Sequence, residues 1–139
     1  YAGWVASQRF FADRLYRQMG MGIEDLSGFV EFMKGFFMCH DANDLLAMAE
    51  TWRAGDPSAN DIYNGDFERA MRSIRALGLV MPCDTDLYFR VSDCEAEVAL
   101  LAEAKLEPIR SDFGHAAGGG LDPTISPTLN ARIRAFLEG

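Results

Sequence analysis

Two short stretches carry the residue types of acyl-transfer chemistry. "LVMPCDTDLYF", residues 79–89, sets Asp84 and Asp86 just after a short apolar run, and "IRSDFGHAAGGG", residues 109–120, sets His115 after another. Imidazole titrates near neutrality, so it can take a proton from a hydroxyl and return it to a leaving group. A carboxylate within hydrogen-bond reach fixes the imidazole tautomer and stabilises the imidazolium that forms. An acid after one strand and a histidine after the next, in that order, is the layout of the last two members of a serine, aspartate and histidine triad. Both aspartates satisfy that spacing. A histidine among glycines is, taken alone, more often an ordinary feature of a turn.

Residues of this kind need strands whose carboxyl ends meet, and the texture of the chain supplies candidates. Trp4, Phe11, Leu15 and Met19 recur at helical spacing, as do Phe29, Phe32, Met33, Phe36 and Phe37. A third helix is expected from Asp41, placed as an N-cap with Asp44 in the first turn, to a stop at Gly55. Beyond a polar loop, the pattern alternates. A helix capped by Asp66 runs to Leu77, a strand covers 77–82, and Ser92 with Glu95 stands in capping-box register for the next helix. A second strand covers 106–111, and Ser126 with Pro127 opens a last helix. The chain thus divides into a helical region, 1–57, and an α/β region with a parallel sheet, 58–139. Two strands do not make a stable parallel sheet covered on both faces, so further strands are expected from another segment. The start at Tyr1, already in helical periodicity, favours a preceding one.

Bulk composition narrows the partners. A chain of 139 residues, 49% of them hydrophobic, has the length and apolar content of one domain. Its 21 acidic and 13 basic residues give a charge of −8, which repels phosphate backbones and anionic headgroups, so neither nucleic acid nor a membrane surface is an expected partner. Cys39, Cys83 and Cys94 show no C-x-x-C spacing; neither a disulfide framework nor a structural metal is indicated, and a cytoplasmic location is expected. No apolar stretch approaches the ~18 residues that cross a bilayer. Cys39 and His40 are neighbours and read as structural, and Gly118 to Gly120 lack the lysine of a phosphate-binding loop.

The stretches "DANDLLAMAETWRAGD", "LVMPCDTDLYF" and "IRSDFGHAAG", in this order, resemble the C-terminal half of the homoserine O-acetyltransferase-like branch of the α/β-hydrolase superfamily. The resemblance implies the C-terminal part of an α/β-hydrolase fold preceded by a helical lid over 1–57. It makes Asp86 the triad acid and His115 the general base, with Trp52 as a substrate-binding residue of the lid. It implies acyl transfer through a serine ester between a small-molecule donor and acceptor, with no metal or organic cofactor. An acyl-CoA would enter only as substrate, and the aromatic lid could also form a homodimer contact. Two departures qualify the match. No G-x-S-x-G surrounds Ser7, Ser27, Ser58, Ser73, Ser92, Ser111 or Ser126, so the nucleophile is expected on an N-terminal segment and this chain alone is not expected to turn over. Ala116 and Ala117 follow His115 where the homoserine transferases carry an acidic residue, which disfavours homoserine and leaves an esterase or another acyltransferase. The reading from a different class is a hydrolase-derived binding module that has lost its nucleophile.

Overall fold

The computed structural model describes residues 1–139. The helical region opens with α1 (Gln8–Ala12), a 3₁₀ turn (Leu15–Met19), α2 (Leu26–Met38) and α3 (Ala42–Ala54). The single helix expected from Trp4 to Met19 is broken in two. Ser7 caps α1 by accepting from the Phe10 N–H at 3.1 Å, while its hydroxyl donates to the Asp112 carbonyl at 2.7 Å, so a tertiary contact decides where the helix begins. Arg14 then takes left-handed backbone, φ 54°, and ends it. Asp25 caps α2 and Asp41 caps α3, each by accepting a backbone N–H. Gly55 does stop α3, but in extended backbone rather than the left-handed conformation a C-terminal glycine usually supplies.

Aromatic edges hold this region to the histidine loop. Phe10 is 1% exposed and meets Phe29 at 5.3 Å and Phe113 at 5.2 Å between ring centroids, both edge to face. Such pairs add ~0.5–1.5 kcal/mol each beyond the area they bury. Ala6, Tyr16, Ile23, Met33, Cys83 and Ala117 complete the cluster, so the core lies between α1, α2 and the loop that carries His115.

The second region runs α4 (Phe67–Arg72), β1 (Gly78–Val80), α5 (Val91–Val98), β2 (Ala104–Leu106) and α6 (Ser126–Glu138). Strands β1 and β2 are parallel, with Gly78 opposite Ala104 and Val80 opposite Leu106. This is the expected α/β alternation, with several boundaries moved. Helix α4 stops at Arg72 rather than Leu77, because the Ser73 hydroxyl turns back to the Ala70 carbonyl at 2.7 Å. Strand β2 begins at Ala104, ahead of the expected 106–111 stretch; beyond it the Glu107 N–H still donates to the Val80 carbonyl, but Pro82 has no N–H to return, and bridge pairing resumes only at Cys83 and Ile109. The Ser92 capping box does not form. Arg90 occupies the cap and clasps Asp93 through two bonds of 2.9 and 2.8 Å, drawing Ser92 inside the helix. Ile125, not Ser126, caps α6, with Pro127 in its first turn as expected. No helix is long and apolar enough to cross a membrane.

The loop from β2 to α6 is tied off by a buried carboxylate. Asp122, 3% exposed, accepts from the Ser111 hydroxyl at 2.5 Å and from the Thr124 hydroxyl and N–H at 2.6 and 2.9 Å. Burial pushes its carboxyl up, but these hydrogen bonds outweigh burial and hold it below the ordinary carboxylate range. A folded-state pKa below the unfolded one contributes stability that is present above the unfolded value and lost as pH falls through the folded one. Urea denaturation should therefore find Asp122→Asn less stable than wild type by ~1–3 kcal/mol at pH 7, with the gap narrowing as pH drops below about 4.

Candidate active site

The ladder delivers the two loops side by side. Beyond β1 and β2, Ile109 N–H donates to the Pro82 carbonyl at 2.8 Å and Asp84 N–H to the Ile109 carbonyl at 2.9 Å. The chain then turns on Asp86. One carboxylate oxygen accepts from the N–H groups of Tyr88 at 2.7 Å and Phe89 at 3.3 Å, in the manner of an Asx turn, and the other meets His115 Nδ1 at 3.0 Å. The Asp86 side chain is 7% exposed and His115 35%. A carboxylate can only accept, so Nδ1 carries the proton and Nε2 keeps a free lone pair, as a general base requires. Asp84 does something else: it accepts from the Ser111 N–H at 3.2 Å. Of the two candidate acids, Asp86 is the one brought to the histidine.

Three contacts from the start of the chain set the height of the histidine. His115 N–H donates to the Val5 carbonyl at 2.9 Å, Ser7 holds the Asp112 carbonyl, and Phe113 is buried against Phe10. Gly114 makes this approach feasible. It sits at φ +59°, and a Cβ there would come 2.9 Å from the Ala6 Cα and 3.0 Å from the Val5 oxygen. The glycines mark a turn in the sequence, but nothing local signals the partner, which is more than a hundred residues away.

Aromatic rings flank the imidazole. Tyr88 lies 4.9 Å and Phe89 5.5 Å from it between centroids. Trp52 reaches the site at one remove, packing on Phe89 at 5.9 Å while 65% exposed. It does not line the cleft beside the pair. That open cleft, of about 550 Å³, is walled by Met81, Pro82, Cys83, Phe89 and Cys94 and by Gly118 and Gly119 across from Asp86 and His115. Burial pushes both thiols up, so neither Cys83 nor Cys94 is poised as a thiolate nucleophile. The Tyr88 hydroxyl is likewise pushed up, by burial and then by Tyr1. No three His, Cys, Asp or Glu side chains gather as ligands of a cation would. Cys39 and His40 each bond back to their own helix, at the Gly35 and Phe36 carbonyls, and form no pair.

The comparisons with known proteins agree with this chemistry in class. No protein-family model matches the chain. It is 36% identical over 98% of its length to an ethyl acetate hydrolase of Pseudomonas veronii, and 30% identical over 97% to a "probable esterase" of Corynebacterium glutamicum. Among solved structures it superposes on an acetylester hydrolase of Corynebacterium glutamicum with a TM-score of 0.88 at 29% identity, over 99% of this chain, and on the acetyl esterase MekB with 0.83 at 34%, over 98%. The chain spans 38% and 39% of the two curated relatives and 39% of each solved chain. These relatives are ester hydrolases rather than homoserine O-acetyltransferases, which moves the resemblance off the transferase branch.

Gly114→Ala should lose ~1–3 kcal/mol of stability in urea denaturation, from the positive φ and the clash with Ala6. Gly118→Ala has no atom within 4 Å of its added methyl and no positive φ, and should stay near wild type.

Proposed function

We propose that this chain is the C-terminal part of a serine-nucleophile esterase, supplying the acid and base of its triad, with the serine on a segment outside these 139 residues. The observation that carries the reading is the imidazole held by a buried carboxylate at 3.0 Å, at the ends of neighbouring parallel strands and beside an apolar cleft. No serine of the chain hydrogen-bonds to it. The hydroxyls of Ser7, Ser58, Ser73, Ser111 and Ser126 are committed to Asp112, Asp56, Ala70, Asp122 and Asp122 respectively.

In this reading His115 Nε2 takes the serine proton as the hydroxyl oxygen attacks the ester carbonyl, and Asp86 orients the ring and stabilises its charged form. The proton passes to the departing alcohol as the bond to the acyl carbon breaks. Water, deprotonated by the same nitrogen, then releases the acid and restores the serine. No metal or organic cofactor takes part in these steps. The cleft walls carry no Lys or Arg, which suits a neutral ester, and the names of the relatives point to a short acyl group such as acetyl. Residues 1–57 fit a lid, with Trp52 backing Phe89 rather than touching substrate. Helix α3 buries no residue, and only 15 of 139 residues are buried in all, which suits a chain whose remaining faces are covered by more protein.

Assayed on short-chain acetate esters, the full-length protein should lose ~10³–10⁴-fold in kcat with Asp86→Asn, which leaves the ring in the wrong tautomer, and at least as much with His115→Ala. Wild-type turnover by Asp86→Asn would contradict the reading. Release of acetate unchanged by added alcohols is expected for a hydrolase; diversion of most acyl groups to an alcohol would make the enzyme a transferase.

A further inference from the structure

One group of hydrogen bonds between the two loops plays no part in moving protons. Past β1, the Thr85 hydroxyl donates to the Ser111 carbonyl at 2.6 Å, and the Cys83 thiol reaches the same oxygen at 3.3 Å. Asp84 takes the Ser111 N–H, and the Ser111 hydroxyl is anchored on buried Asp122 while accepting from the Phe113 N–H at 3.0 Å. Ser111 is therefore gripped on its N–H, its carbonyl and its hydroxyl at once. Thr85 immediately precedes Asp86, and Ser111 stands four residues before His115. Strand pairing has already ended at the Cys83 and Ile109 bridge, so past that point the ladder no longer fixes the spacing of the loops.

We propose that Thr85 is a positioning residue, whose hydroxyl, seated on the Ser111 carbonyl, sets the separation of Asp86 and His115. The inference rests on the esterase reading for its kinetic consequence, and on geometry alone for its structural one. A triad tolerates little displacement of its base, and side chains that lock such groups by hydrogen bonds act on turnover rather than on substrate binding. Thr85→Val keeps the branched shape and deletes the donor; Thr85→Ser keeps the donor and deletes the methyl.

In the full-length protein, two readouts separate the outcomes. Thr85→Val is expected to lower kcat for acetate-ester hydrolysis by ~10–100-fold with KM within about twofold, and Thr85→Ser to recover most of the loss. In proton NMR, the downfield His115 Nδ1–H signal of the wild type should persist in Thr85→Ser and vanish by exchange in Thr85→Val. Should Thr85→Val keep both the signal and wild-type kcat, or Thr85→Ser fail as badly as Thr85→Val, the positioning role is overturned. A wild type that hydrolyses no ester, yet loses the Nδ1–H signal on Thr85→Val, would remove the esterase reading and support the positioning role.

Discussion

The hydrogen bond from His115 to Asp86 joins residues 29 apart in sequence, and most of the ordered structure around it serves to close that distance. Two parallel strands of three residues each bring the loops alongside one another, but a ladder so short fixes only where they leave the sheet. The rest falls to side chains and to a distant backbone. Asp86 is held by the turn it heads, and His115 by the carbonyl of Val5, beneath a glycine that no larger residue can replace without moving Ala6. The aromatic cluster on Phe10 is what keeps Val5 and Ser7 at that height, so core packing and site geometry depend on the same contact.

That dependence explains which parts were legible in the sequence. The acid and the histidine could be read because their types and their order after two apolar runs are local patterns. Spacing alone left Asp84 and Asp86 open; the resemblance favoured Asp86, and the geometry agrees because Asp84 is spent on the Ser111 N–H. The Asp41 and Asp66 caps were readable for the same reason, since a cap bonds within its own first turn. Ser92 misled because an equally local ion pair, Arg90 with Asp93, competes for the helix start.

What stayed hidden was long-range. Nothing near Ser7 signals that its hydroxyl will reach Asp112, and nothing near Thr85 or Asp122 signals that both will converge on Ser111. The first of those pairings starts α1 where no periodicity would, and all three hold the histidine loop. The transferase branch was misjudged for a related reason: "DANDLLAMAETWRAGD" and the two loops are features of a scaffold, whereas the choice of water or another acceptor belongs to the cleft. Directly after His115 in the sequence, Ala116 and Ala117 already argue against homoserine.

In the proposed esterase the paired Asp86 and His115 activate a serine on another segment of the same protein. Reaction of the full-length protein with a fluorophosphonate, followed by mass spectrometry of its peptides, tests it directly. Labelling of one serine outside residues 1–139 is expected, strongly slowed in His115→Ala and in Asp86→Asn. A folded wild type with no labelled serine, or labelling indifferent to both substitutions, would contradict it.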